Sequence, residues 1–288
     1  MAIDISRETS SILLPPEISS EIWQRTQEES VVMRLSQQMP IPGGGTVVPM
    51  ISGDPTAEWV NETDEIPVSR PTFHNKMIRG YKLATIVPFS NEFRRDVDSL
   101  YSAVVRRLPG VFAEKFDATV FGQPNGAPGS DFDTLGGITS VSIANDTYDA
   151  LVTADAAVAV AGGILNGWVI APQARSLLLT AKDEIGRPIF INNVTTDGSV
   201  PALLGAPTYM SRTAYFGSLP TQVGFAADWS GARYGVVNDI TISISDQASI
   251  TDGSEVINLW ERDMFAVRVL FEVGFRVRDL SEFVKLTG

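Results

Sequence analysis

The chain has no cysteine among its 288 residues and a single histidine, His74. The first absence removes disulfides and thiolate metal sites and fits a reducing compartment. The second removes metal centres built from several imidazoles and any Cys–His pair. Lysines are few, and none of Lys76, Lys82, Lys115, Lys182 and Lys285 follows a glycine, so no Gly-Lys-Ser/Thr phosphate loop exists. No Gly-x-Ser-x-Gly elbow occurs either, which leaves His74, between Phe73 and Asn75, without a nucleophile to serve. A solvent-facing or interface histidine is the expectation. Gly43-Gly44-Gly45 lies between Pro42 and Thr46 with no helix pattern after it and reads as a joint rather than a phosphate cradle. The pairs Asp96/Asp98 and Asp131/Asp133 lack the glycine and distal glutamate of a calcium loop. Helix capping accounts for Asp98, and turn propensity for Asp131 and Asp133. No catalytic, cofactor or metal site is expected.

Basic residues are also in short supply. The formal net charge is −12, and affinity for phosphate backbones comes largely from clustered Lys and Arg, so a general nucleic-acid binder is excluded. There is no run of like charge, no low-complexity tract and no internal repeat. The first residues lack the basic and then apolar pattern of a secretory signal. The most apolar stretch, Leu151 to Ile170, is interrupted by Asp155, Gly162, Gly163 and Asn166 and falls short of a membrane span. It reads instead as an alanine-rich packed helix from about Thr147 to Ala161, then a buried strand Trp168 to Ala171. Pro172 suits the first turn of another helix through Leu177, Leu178 and Leu179.

With 44% hydrophobic and 19% charged residues, the chain has material for a sizeable core. Its last fifty residues are the clearest sheet. Phe265, Val267, Val269, Phe271, Val273, Phe275 and Val277 alternate with a mixed set from Ala266 to Arg278, and Ile240, Ile242 and Ile244 alternate in a partner strand. Asp252-Gly253 is expected to turn between these runs.

Ala57 to Ser90 predicts an exposed hairpin, two strand-like arms around an acidic tip marked by Pro67 and Pro71. Charges fall on both faces, and a two-stranded hairpin without one clean apolar face is marginal in water, so another subunit is expected to support it. A helical region then opens after Pro88, with Phe93, Val97, Leu100, Val104, Leu108, Val111, Phe112, Phe116 and Val120 as its apolar stripe. Pro109 is expected to kink or split it. Gly122 with Pro124 beyond is a helix stop.

This order of parts resembles the major capsid proteins of tailed bacteriophages, which share the Hong Kong phage capsid fold. The parts are the hairpin with its Trp59-Val60-Asn61-Glu62 start, the long helix, the turn from Gly122 to Pro128, and Leu135-Gly136-Gly137-Ile138. Ile12 to Ile18 and Glu29 to Leu35 are similar to that family's extended N-terminal arm, and Thr46 to Pro49 to the strand entering its extended loop. Leu203 to Ser211 resembles a short strand motif of its axial domain, and Asp228 to Tyr234 the turn that returns to its peripheral domain. The resemblance implies an α+β fold. Its divisions are an N-terminal arm over 1–50, an extended hairpin loop over 51–89, and a spine helix with the first part of the peripheral domain over 90–134. An axial domain over 135–225 and the second part of the peripheral domain over 226–288 complete it.

What the resemblance implies for function is a structural role without catalysis or cofactor. Copies of the chain would form pentamers and hexamers of an icosahedral shell, assembled in a bacterial host cytoplasm, that encloses double-stranded DNA without sequence-specific binding and without a membrane. Partners would be a scaffold protein, a portal and decoration proteins. The arm motif begins within about a dozen residues of Met1, so a separately encoded scaffold, or none, is expected rather than an N-terminal scaffolding segment. The subunit interface is expected on the loop and spine helix. Trp59, Phe73 and Tyr81 would anchor it, and Glu62, Asp64 and Glu65, beside Arg70, Lys76 and Arg79, would pair with Arg94, Arg95, Arg106 or Arg107 of a neighbour. Lys76, Lys82 and Asn258 are the positions to consider for the covalent crosslink of some members, which is not expected here. The rival readings are an encapsulin, a bacterial compartment shell of the same fold, supported by the apolar cluster Ile18, Ile22 and Trp23, and an α/β enzyme domain, for which no catalytic constellation is found.

Overall fold

A computed structural model describes residues 26, 29–53, 55–62, 65–91, 97–123, 126–182, 185–187, 189–190, 202–217, 220–252 and 255–288. In chain order the elements begin with α1 (Val31–Leu35), β1 (Gln37–Pro40), β2 (Thr46–Gly53), β3 (Thr72–Ile78) and β4 (Tyr81–Ser90). The long helix α2 (Val97–Val120) leads to β5 (Ser140–Ser142), α3 (Thr147–Val160), β6 (Gly167–Ile170) and α4 (Arg175–Thr180). The strands β7 (Ala202–Leu203), β8 (Ala206–Met210), β9 (Gln222–Ala227), β10 (Ala232–Ser245), β11 (Ser249–Asp252), β12 (Glu255–Asn258), β13 (Met264–Val277) and β14 (Phe283–Thr287) complete the chain. Contacts divide it into two compact units, one made of residues 1–34, 81–117 and 238–273, the other of 35–80, 118–237 and 274–288.

In the first unit, β4 pairs antiparallel with β13, from Met264↔Ser90 to Val273↔Tyr81. The period-2 pattern of β13 is realised, since Phe265, Val267, Val269, Phe271 and Val273 are all buried. Phe112 of α2 sets its ring edge-on to Phe271 at 6.3 Å, and Phe89 stacks on Phe265 at 5.5 Å. Leu108, Phe112 and Phe116, four residues apart, are buried on one face of α2. Val111 is exposed and lies off this stripe. The helix continues through Pro109 without splitting. Asp252 closes a short extra pair, β11–β12, registered Asp252↔Glu255, that lies between the two long strands, while Gly253 of the expected turn falls outside the described residues.

The second unit is built on a six-stranded mixed sheet in the order β5-β14-β9-β6-β8-β7. Strand β6 is buried at all four positions, as expected for a strand covered on both faces. It runs parallel to β8 (Trp168↔Thr208) and antiparallel to β9 (Gly167↔Ala227). Helix α3 presents Leu151, Ala154 and Val158 to the core formed with Trp168, Ile170, Leu178, Leu203, Val223, Val284 and Leu286. Pro172 opens a short turn of 3₁₀ helix that runs into α4. After α2, Gly122 adopts a left-handed φ of +79° while Gln123 N–H reaches back to the Ala118 carbonyl at 2.9 Å, the glycine-terminated helix end that the sequence predicts. Asp228 accepts from Ser230 N–H at 3.0 Å, Ile164 N–H at 3.1 Å and the Asn166 amide at 2.9 Å, and so fixes the turn into β10. Burial raises its carboxyl, but the Ser230 hydroxyl donating to Oδ1 at 2.6 Å, the two backbone N–H groups and the charge of Arg278 together hold it below the usual range.

Candidate functional site

The hairpin is present, but its arms are paired differently from the sequence reading. The ladder joins β2 to β3, from Thr46↔Ile78 to Gly53↔Thr72, so the incoming arm lies before Ala57. Residues 55–62 and 65–71 have no strand structure and form the tip. The outgoing run breaks at Arg79-Gly80, beyond which β4 pairs with β13 instead. Neither β2 nor β3 has another strand partner among the described residues.

The tip carries apolar surface that is left exposed among the described residues. Trp59 is fully exposed at 105%, Val68 is 83% and Ile66 77% exposed. Glu62, Glu65 and Arg70 are exposed around them. A hydrogen bond from Thr56 N–H to Ser69 Oγ at 2.8 Å ties the two sides of the tip together. Uncovered apolar residues rimmed by charge mark an interaction surface.

The root is built quite differently. Arg276 of β13 donates from Nε to the Met77 carbonyl at 2.8 Å, from one terminal nitrogen to Asp133 Oδ1 at 2.6 Å, and from the other to Asp131 Oδ1 and the Ser130 carbonyl, both at 3.1 Å. Asp133 also accepts the Val277 N–H at 3.0 Å. Lys76 Nζ donates to the Val277 carbonyl at 2.8 Å and the Arg278 carbonyl at 3.1 Å, with Asp133 Oδ2 at 4.0 Å. The Arg276 and Asp133 side chains are each only 12% exposed, so their charge-assisted bonds are weakly screened. Backbone packing is equally close. A Cβ on Gly45, where φ is +88°, would stand 2.9 Å from the Ile78 carbonyl oxygen, and one on Gly274 would collide with the carbonyl of Arg79.

The residues expected to form an interface therefore occupy different places. Trp59, Glu62, Glu65 and Arg70 lie together on the exposed tip, and Arg79 is exposed at the root. The ammonium of Lys76 is engaged within its own chain at the root. Tyr81 begins β4, half-buried. Arg107 is exposed on α2, and Arg106 lies in that helix. Phe73 lies in β3, paired with Ile51. Asp64, Arg94 and Arg95 fall outside the described residues. Sequence reasoning missed the root cluster of Arg276, Asp131 and Asp133. The only available signal was the pair of aspartates two apart in a loop, which turn propensity explained equally well. Among the described residues no group of three or more His, Asp or Glu side chains is placed to hold a metal ion, and no helix is long and apolar enough to cross a membrane.

The family model for the phage capsid family matches residues 10–288. The chain belongs to that family. Its similarity to curated members runs nearly end to end: it is 28% identical over 292 residues to the probable major capsid protein gp17 of Mycobacterium phage D29, spanning 96% of this chain and 90% of that one. It is 27% identical to the major capsid protein of Staphylococcus phage 80alpha, over 94% of this chain and 83% of that one. The fold is similar to a solved structure from Gordonia phage Cozz, with a TM-score of 0.73 and 21% identity over 90% of this chain and 86% of that one. A structure from Mycobacterium phage Adephagia matches with a TM-score of 0.70 and 25% identity over 90% and 89% of the two chains. This phage capsid protein is a structural subunit and not an enzyme, and its α+β architecture is that of the Hong Kong phage capsid fold. As a capsid protein it is a component of the virion, and its function is to build the shell from copies of itself.

Proposed function

We propose that this capsid protein closes its shell through the β2–β3 hairpin, which lays its tip on a neighbouring copy. The observation that carries this reading is the fully exposed Trp59, beside exposed Ile66 and Val68, at the end of a ribbon with no strand partner beyond its own two strands among the described residues. Large aromatic side chains at full exposure are anchors for a partner surface, and a second copy is the partner a shell provides. Glu62 and Glu65 lie in the same tip as the anchor, and complementary charge is carried by Arg106 and Arg107 of α2 and, in the sequence just ahead of it, by Arg94 and Arg95. Interfacial charges of this kind fix register more than they add affinity.

In this reading residues 1–50 are the arm and 51–89 the extended loop, residues 90–134 and 226–288 make the peripheral domain, and 135–225 the axial domain. The shell consists of pentamers and hexamers around double-stranded DNA, which an acidic subunit encloses without gripping it. Assembly takes place in the host cytoplasm with a scaffold, a portal and decoration proteins as partners. Electron microscopy of the purified full chain tests the central claim. Closed shells are expected, while a species that stays at 31.1 kDa under all assembly conditions, with tip and arm protected from protease, would sink it.

A further inference from the structure

The β2–β3 ribbon has a mechanical problem that its sequence does not solve. A two-stranded ribbon is marginally stable and bends readily, and among the described residues this one has only its own two strands as ladder partners. From the root pair Thr46↔Ile78 to the end pair Gly53↔Thr72 it extends roughly 20 Å at about 3.3 Å per residue. A swing of about 10° at the root therefore moves the far end by roughly 4 Å on that length, more than a packed contact tolerates.

The root, by contrast, carries a dense set of polar contacts. The pairing of β13 with β4 ends at Val273↔Tyr81. Three residues further along β13, the guanidinium of Arg276 is bonded at all three nitrogens, to β3 through the Met77 carbonyl and to the 130–133 loop through Ser130, Asp131 and Asp133. Lys76 returns the connection from β3 to the Val277 and Arg278 carbonyls. The end of β13 is thus bonded to β3 at two places, and the 130–133 loop joins the same cluster through Arg276, with Asp133 Oδ2 4.0 Å from Lys76 Nζ. A planar fork with fixed donor directions resists rotation in a way that a single point charge does not.

We infer that Arg276, held by Asp133 and supported by Lys76, is a positioning residue that sets the direction in which the β2–β3 hairpin leaves its root. That the tip so aimed meets a second copy rests on the proposed function; the aim itself does not. Removal of the clamp frees the ribbon to swing, and subunits with variable aim close into irregular or open shells.

The absence of cysteine allows the unassembled full chain to be spin-labelled cleanly after Arg70→Cys and Val160→Cys, two exposed positions of the second unit, and the label-to-label distance distribution measured. The original root should give a narrow distribution. Arg276→Met and, more conservatively, Asp133→Asn should each broaden it at least about twofold and lower the yield of closed shells about tenfold. Arg276→Lys, which keeps the charge and loses the fork, should stay broad. Leu151→Ala, in the core beneath α3, should lower Tm without widening the distribution. An unchanged width in both Arg276→Met and Asp133→Asn overturns the inference. So does full restoration by Arg276→Lys, or equal broadening in Leu151→Ala, because either outcome makes the effect one of charge or general loosening. Broadening by Arg276→Met in a protein whose unaltered form makes no shells supports the positioning role and overturns the proposed function instead.

Discussion

The hydroxyl of Ser30 donates to Asp117 Oδ1 across 2.6 Å and joins positions 87 residues apart. Val31 N–H reaches the other carboxylate oxygen at 3.0 Å, Val32 N–H approaches Oδ1 at 3.4 Å, and Met33 N–H donates to Ser30 Oγ at 3.1 Å. The first turn of α1 holds no acidic residue of its own, so a carboxylate from α2 supplies the acceptor that the free N–H groups of a helix start require. Asp117 is buried, and loss of hydration raises its pKa from 3.8 to about 7 against the lowering effect of the three donors.

The sign of the resulting pH dependence is opposite to that of ordinary acid denaturation. A folded pKa above the unfolded one means that the folded state holds the proton more tightly, so stability is greatest below pH 3.8 and is lost as pH rises to about 7. The carboxyls of Asp228 and Asp279 are held below their usual range and contribute stability that is lost only at lower pH. Between pH 5 and pH 8 the Tm of the unassembled subunit should therefore fall, by roughly 5–10 °C for a shift of this size in a chain of this length. Asp117→Asn should flatten that slope. An equally steep slope in the variant would show that another group titrates.

Gly122 is confined by two independent constraints. Its φ of +79° disfavours any side chain, and an added Cβ would collide with the backbone of Gly136. Gly122→Ala should cost more than about 2 kcal/mol in chemical denaturation, whereas alanine at Gly137, around which nothing lies within 4 Å, should cost less than about 1 kcal/mol.

Trp168 is fully buried and donates its indole N–H to the Leu203 carbonyl at 2.9 Å. Trp168→Phe keeps most of the apolar volume but leaves that carbonyl without its donor, a loss of about 1–3 kcal/mol. Phe271→Ala removes a buried ring that meets Phe112 and should cost about 3–5 kcal/mol. Equilibrium unfolding of the unassembled subunit measures both.

The parts of this fold that could be read in advance are those whose burial has a local period. Strand β13 buries every second residue from Phe265 to Val277, and α3 buries Leu151, Ala154 and Val158, so alternation and helical spacing located both. The hairpin lacks that information. Charges and prolines interrupt the alternation between Ala57 and Ser90, so no clean apolar set chooses a register there, and while Thr46 to Pro49 reads as a strand entering the loop, its pattern does not reveal that Thr46 to Gly53 is the partner of β3. The clamp was invisible for another reason. Arg276 and Asp133 are 143 residues apart, and each reads locally as a surface charge. Asp117 likewise follows Phe116 on α2 as an ordinary helical acid, and only the chain at Ser30 to Val32 makes it a buried cap.

Trp59 separates assembly from folding, since its side chain is fully exposed in the subunit. Trp59→Ala should leave subunit stability within about 0.5 kcal/mol while shell yield drops by an order of magnitude or more, as expected for an interface anchor. Shell yield and thermal unfolding measured on the same preparation decide the matter. A parallel loss in both would place Trp59 in intrachain packing and remove the main support for a tip-mediated contact.

Salt distinguishes two electrostatic accounts of assembly. Pairs between Glu62 or Glu65 and arginines of a neighbouring spine helix are attractive and exposed, so they weaken when the Debye length shrinks from roughly 10 Å at 0.1 M to about 3 Å at 1 M. Subunits of net charge −12 also repel one another as whole bodies, and salt relieves that repulsion. The two effects have opposite signs. If the specific pairs dominate, the initial rate of shell formation, followed by light scattering, should fall as salt rises across this range. Glu62→Gln with Glu65→Gln should then reduce the rate at low salt and abolish most of the salt dependence, because the screened pairs are already gone. If the rate of the unaltered protein rises with salt, and the double variant assembles faster than it at low salt, the tip acids act as part of the general negative charge and not as partners of the helix.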